Sequence, residues 1–356
     1  MQVEARPGAI TRPVWYVYPI WKKVSFSIVA KKHLQYLRRM MRVEEIDELT
    51  FPFTDVFSRP LVLMHPYFYP AEVFARHLAH RIPKLWGIIG LDVADSDMLS
   101  QHAVDLANRA TAMIVPSRFS RNAYVRSGVR VDVHVLPHGV DPEFIDRPKS
   151  ELPFPEILRD LKRRRNLKVL LAYIVHSPYR KGEDLLMEIY QRLRRERDDV
   201  ILAIKDMHGI ILDNGQKRER IFDGWLREHQ QIGLYDSADL FLLTSRGGGF
   251  ELPGLEALAR GVPVIAAKGG SWEDYMPEWG LVPSRPSAPI FDGNTIHVGR
   301  GVEMILERAV DKALDILDNL DDYKAKAHEY AQTRIRQEFT WPWIAENLKR
   351  IIERYA

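Results

Sequence analysis

The chain has 356 residues, 46% of them hydrophobic and 28% charged, which is enough for two ordinary domains with separate cores and reads as a soluble globular protein. It has no cysteine, so disulfides, thiolate metal sites and a cysteine nucleophile are excluded. With 51 basic against 48 acidic residues, a net charge of +3, the balance is too even to imply nucleic-acid binding.

In chain order the first half alternates apolar runs at 14–20, 60–65, 85–91, 110–117 and 131–139 with amphipathic segments at 25–42, 70–81, 98–109 and 118–127. Continuously apolar strands separated by helices predict a parallel sheet covered on both faces. The segment "VDPEFIDRPKSELPFPEI" then carries four prolines in residues 142–155, which predicts a linker. The alternation restarts with strands at 166–175, 199–206, 238–245 and 262–267 and helices at 183–195, 217–229 and 254–260. Two Rossmann-like halves follow, with ligands expected beyond the carboxyl ends of the strands. The tail predicts helices over 301–318 and 321–338, then an apolar stripe of Ile344, Leu348, Ile351 and Ile352 at helical spacing. The expected domains are 1–148, 149–339 and a C-terminal helix, 340–356, packing back on the first.

The stretch "GGGFELPGLEALARGVPVIAAKGG", residues 247–270, concentrates the chemistry. Gly247, Gly248 and Gly249 follow a strand and let backbone amides approach a ligand, while Pro253 suits the first turn of a helix whose N-terminus favours a phosphate. Glu256, one turn in, can accept bonds from the adjacent hydroxyls of a ribose. A strand, glycines and a helix also describe an ordinary turn in an α/β protein, so the pattern alone leaves both open.

The order of residues is more specific. "SRGGGFELPGLEALARGVPVIAAKGG" resembles the signature of the retaining nucleotide-sugar glycosyltransferases of family 4, GT-B fold: Glu-Gly-Phe-Gly-Leu-Pro, two residues, Glu-Ala, then Gly-x-Pro-Val-Ile-Ala. Phe250, Leu252, Pro253, Glu256, Ala257, Gly261, Pro263, Val264 and Ile265 match it. "AMIVPSRFSRNAYVRSGV", "VHVLPHGVDPEF", "RKGEDLL", "LYDSADLFLLTS" and "FTWPWIAENLKRII" resemble further segments of that family in the same order. The resemblance implies two Rossmann-like domains facing across a cleft. It also implies transfer of a sugar from a nucleoside-diphosphate sugar to a carbohydrate, glycolipid or other acceptor, with retention, without metal and without a bound cofactor. Gly248, Gly249, Phe250, Leu252 and Glu256 would then lie along the donor. Arg180 and Lys181 match the Lys-Gly element that holds the donor diphosphate, with solvated loop charges as the alternative.

Three positions depart from the family. The first glutamate of the signature would fall at Gly248, with Glu251 as the nearest carboxylate; an upstream arginine would fall at Val175, leaving Arg180, Lys205 or Arg246 to cover it; and Leu91 replaces a histidine beside Asp92. A nucleotide-sugar-binding protein with weak or no turnover, or another GT-B enzyme such as an epimerase, therefore stays open. Asp92 is read as a sugar contact or a cap, and His65 as an acceptor-side group or a buried, hydrogen-bonded histidine. The acids of "DSD", 95–97, precede a helix as caps rather than metal ligands. Seven lysines and arginines between 22 and 42, with no acid before Glu44, make the helix near 25–42 a candidate for peripheral membrane contact or a solvated face. The segment "MQVEARPGAITRP" has no apolar run of signal-peptide type, so a cytoplasmic location is expected. Donor base, sugar and oligomeric state are not fixed by any motif.

Overall fold

The computed structural model describes residues 12–149 and 154–356. It divides into two compact units, one of residues 1–138, 293–298 and 341–356, the other of residues 139–292 and 299–340.

The first unit is built on six parallel strands: β1 (Val14–Tyr18), β2 (Glu44–Asp47), β3 (Leu61–Met64), β4 (Gly87–Leu91), β5 (Ala112–Val115) and β6 (Asp132–Val135), in the order β2-β1-β3-β4-β5-β6. Side chains of a strand alternate faces, and here both faces are filled. Val14, Tyr16, Leu61 and Leu63 enter one core cluster while Trp15, Val17, Val62 and Met64 enter the other. The helices are α1 (Ser25–Leu37), α2 (Phe68–Val73), α3 (Ala75–Ala79), α4 (Gln101–Ala107) and α5 (Arg118–Ser127). The last opens on Ser117, whose Oγ accepts from Ser120 N at 3.1 Å, and closes on Gly128 at φ 102°, a left-handed position that suits glycine. The C-terminal helix Trp341–Tyr355 belongs to this unit, burying Trp341, Ile344, Leu348 and Ile352 in the cluster that also holds Val29 and Leu34 of α1.

The second unit holds α6 (Pro142–Asp146) and α7 (Glu156–Arg165), then β7 (Lys168–Tyr173), α8 (Pro178–Lys181), α9 (Glu183–Glu196) and β8 (Val200–Lys205). There follow β9 (Gly209–Asp213), β10 (Arg218–Asp223), α10 (Glu228–Ser237), β11 (Leu240–Leu243), α11 (Leu252–Ala259), β12 (Val264–Ala267) and β13 (Leu281–Val282). Its sheet runs β10-β9-β8-β7-β11-β12-β13, parallel from β8 to β13 with β9 and β10 added antiparallel at one edge. A separate hairpin, β14 (Ser284–Pro289) and β15 (Arg300–Met304), precedes α12 (Leu306–Asp318) and α13 (Leu320–Tyr330).

Four local expectations are corrected. The segment 217–229 is not a helix: the turn after β9 is set by Asn214 Oδ1, which accepts from Gln216 N and Lys217 N, and by Gly215 at φ 82°. Those bonds commit the following residues to a hairpin, and the helix starts only at Glu228. Residues 300–304 are a strand, because they pair with 284–289 before α12 begins. The prolines at 142 and 155 do sit at regular elements: Pro142 opens α6 and Pro155 precedes α7, places where a missing N–H goes unnoticed. Residues 150–153 of that proline-rich stretch, and the N-terminal residues 1–11, lie outside the described residues. The basic helix ends at Leu37, and acids in and just after β2 answer the cations around it: Arg38 pairs with Glu45 at 3.0 Å and Arg42 with Glu44 at 3.3 Å, while Lys22 pairs with Glu48 at 2.6 Å. Among the described residues no helix is long and apolar enough to cross a membrane.

Candidate functional site

The segment after β7 turns tightly into α8. Ser177 at φ 53° and Gly182 at φ 68° bracket this single helical turn. A Cβ on Gly182 would collide with the carbonyl of Thr244, so glycine is what lets the loop lie against the end of β11. Two bonds fix that approach: Thr244 Oγ1 donates to Lys181 O at 2.9 Å and Arg246 N to Arg180 O at 2.7 Å. Arg180 and Lys181 are thereby held beside the glycine loop that follows β11, and Arg180 Nη1 donates to Gly247 O at 3.0 Å.

That loop runs into α11 through Glu251, whose backbone is left-handed at φ 63°, ψ 62°. A residue with a Cβ pays about 1–2 kcal/mol there, and such strain persists only where the surroundings over-determine it. Tyr275 OH donates to Glu251 O at 2.6 Å, and the Phe250 ring packs 5.1 Å from Tyr275 and 6.5 Å from Phe339, which makes Phe250 a core anchor of the loop. The Glu251 carboxylate points to the cations: Lys181 Nζ donates to both its oxygens at 2.6 and 2.7 Å, and Arg180 Nη1 stands 3.7 Å away. The side chains are nearly enclosed, 4% exposed for Glu251 and 14% for Lys181. Gly248 lies under the same carboxylate, where a Cβ would collide with Glu251 Oε1. Gly249 is buried in the same loop, and Leu252, at the helix entrance, packs partly buried against the core.

Glu256 sits one turn into α11, and its Oε2 accepts from Gln231 Nε2 at 2.6 Å and from Tyr235 OH at 2.7 Å. The Tyr235 ring stacks 5.6 Å from Tyr173 at the end of β7. Gln231 and Tyr235 were not singled out from the sequence. Their i,i+4 spacing on α10 was the available signal, hidden because the helix was expected to end before them.

The side chains of the other candidates are engaged elsewhere. Arg246 is clamped in an internal network, its Nη1 and Nη2 on Asp184 at 2.7 and 2.6 Å and its Nε on Glu303 at 2.7 Å, with Tyr179 stacked at 4.2 Å. Lys205 ends β8 beside Tyr173, its ammonium 5.5 Å from the Trp225 ring and its pKa pushed down by burial. Asp92 and His65 are in the first unit. Asp92 Oδ2 accepts from Tyr67 N at 2.9 Å and Phe68 N at 2.8 Å, at the start of α2, and burial pushes its carboxyl up to about 7 against those bonds. His65 is buried beside His33, with Tyr16 OH 3.2 Å from His65 Nδ1 and 2.8 Å from His33 Nδ1, and Phe26 edge-on at 5.3 Å. Among the described residues no three His, Asp or Glu side chains gather as metal ligands would.

A mostly parallel α/β unit thus carries a glycine loop, a helix entrance, two cations and two carboxylates after the strands of its sheet, and the fold of the chain is GT-B. The Anabaena protein HepE, solved in complex with UDP-glucose, is similar over 96% of this chain and 99% of its own, with a TM-score of 0.67 and 18% identity. The model of the family described as glycosyl transferases group 1 matches residues 155–285, the stretch that contains Arg180, Lys181, Glu251 and Glu256. An uncharacterised protein of Sulfolobus islandicus rod-shaped virus 1 is 34% identical over 97% of this chain and 99% of its own. The GDP-mannose-dependent alpha-(1-6)-phosphatidylinositol monomannoside mannosyltransferase of Mycolicibacterium smegmatis is 27% identical over 46% of each chain. Residues 155–285 thus carry the domain of glycosyl transferases group 1, and the chain is a glycosyltransferase.

Proposed function

We propose that the protein is a retaining, metal-independent glycosyltransferase of family 4 that takes its sugar from a nucleoside-diphosphate sugar. The observation that carries this reading is the meeting of Arg180, Lys181 and Glu251 at the glycine loop before α11. Cations at that point neutralise the charge that develops on a departing nucleoside diphosphate, acting on the leaving group without a proton transfer or a Lewis acid. Glu256 is oriented by Gln231 and Tyr235 to receive ribose hydroxyls, and Glu251 is the carboxylate available to the sugar. HepE's UDP-glucose and the GDP-mannose of the mycolicibacterial enzyme frame the donors to try, and the latter's lipid-linked acceptor supports a glycolipid. We place the protein in the cytoplasm.

The test is incubation of the full chain with UDP- and GDP-sugars plus a panel of sugar and glycolipid acceptors, in the presence of a chelator. Transfer with an unchanged anomeric configuration, followed by nuclear magnetic resonance, is expected. An inverted product, or transfer abolished by the chelator, would overturn the mechanism.

A further inference from the structure

We propose that the Glu251 carboxylate is a resident counter-ion of the diphosphate cations, displaced by the incoming donor, so that the donor itself releases this carboxylate towards the sugar. The inference rests on the reading of Arg180 and Lys181 as the diphosphate site.

Three observations lead to it. Both carboxylate oxygens are spent on one ammonium, at 2.6 and 2.7 Å, with the guanidinium of Arg180 at 3.7 Å, so an anion arriving at these cations meets an occupied site. The backbone is bent to deliver that side chain: residue 251 is left-handed at φ 63° with a Cβ in place, and its carbonyl is pinned by Tyr275 OH at 2.6 Å. The berth is also made to measure, because Gly248 leaves the space that the carboxylate fills, and any Cβ there would strike Glu251 Oε1.

The energetics favour exchange. Two charges withdrawn from water pay desolvation that their attraction only partly offsets, so such a pair is easily traded for a better anion. A diphosphate carries more charge and more acceptor oxygens than one carboxylate, and the N-terminal end of the α11 dipole favours the larger negative charge. A single inorganic phosphate or chloride offers less in exchange and is kept out. Once the diphosphate holds Lys181, Glu251 is left beside a second anion and swings away from it, on a side chain long enough to reach sugar hydroxyls next to the phosphate. The carboxylate is thus presented to the sugar only when a donor is bound.

The proposal fixes a sign that a plain ligand role would reverse. Titrating inorganic pyrophosphate into the full chain by calorimetry, Glu251→Gln is expected to bind about tenfold more tightly than the parent, since a charged competitor has been removed. Gly248→Ala keeps every charge and pushes only the flexible end of Glu251 off Lys181, so it is expected to tighten pyrophosphate by about threefold, and it decides the matter should Glu251→Gln not fold. The extra affinity of a sugar conjugate over its bare nucleoside diphosphate is expected to disappear in Glu251→Gln. Pyrophosphate binding that is equal or weaker in both variants overturns the counter-ion. Lys181→Ala separates the two layers: if it abolishes pyrophosphate binding while neither other variant tightens it, the counter-ion falls and the diphosphate site stands. If Lys181→Ala binds like the parent, both fall.

Discussion

Removing the Lys181 ammonium probes stability and function with one change. In Lys181→Ala, Glu251 keeps a side chain only 4% exposed and loses the donor that held both of its oxygens, with Arg180 left 3.7 Å from one of them. Breaking a buried pair by deleting one partner costs about 3–5 kcal/mol when nothing else compensates. The remaining guanidinium and the partial exposure of Lys181 reduce that to about 2–3 kcal/mol, which for a unit of this size lowers its melting temperature by roughly 5–10 °C. Thermal unfolding followed by circular dichroism measures it. The double variant Lys181→Ala, Glu251→Gln, which removes the orphaned charge, is expected to recover most of the loss. In the same protein kcat for transfer falls far more than folding does, because the charge acts on the departing diphosphate. A Lys181→Ala protein that melts with the parent and transfers sugar at the parental rate would refute both the buried pair and its catalytic use.

Other outcomes follow from the same geometry. Glu256→Gln and Tyr235→Phe are expected to weaken a nucleoside diphosphate by about 1–3 kcal/mol while leaving inorganic pyrophosphate unaffected, because they act on the ribose side; calorimetry with both ligands checks it. Deleting residues 341–356 uncovers the apolar face that Trp341, Ile344, Leu348 and Ile352 bury, so the truncated chain is expected to aggregate by size-exclusion chromatography. Acid is expected to destabilise the protein: burial pushes His33 down to about 3 and His65 well below the usual histidine value, so below about pH 6.5 the unfolded chain binds protons the folded one refuses. Each histidine then removes up to about 1.4 kcal/mol per pH unit, opposed by Asp92, which holds its proton up to about pH 7 and favours folding at low pH. A melting temperature that stays flat from pH 7 to pH 5 would contradict this.

The parallel strands were legible because a strand buried on both faces is apolar at nearly every position, and β1, β3, β5 and β11 read that way. β2 escaped because its residues, Glu44–Asp47, are an edge strand whose acids answer the basic residues 38 and 42. The β9 and β10 hairpin escaped because "RERIFD" satisfies helical charge spacing as well as strand alternation, and the decision is made by the side chain of Asn214 outside it. The glycine loop and the helix entrance at Pro253 were readable for a different reason: the conformations they need are nearly exclusive to those residue types.

Charged side chains carry no such local mark, and the site shows why. Arg180, Lys205 and Arg246 each follow a strand of one sheet by a few residues or end it, and apart from the Lys-Gly pair after Arg180 nothing in their neighbours along the chain separates them. What separates them is a partner far away in sequence: Asp184 and Glu303 claim Arg246, the Trp225 ring faces Lys205, and Gly247 O and Glu251 receive Arg180. A long cation reaches several ångströms from its backbone, so its role is set by which acid the fold brings within that radius. The same holds for the carboxylate. Glu251 is three residues from Gly248, yet its left-handed backbone carries its oxygens over that glycine, so the position of the charge follows from a dihedral angle rather than from the register of the motif.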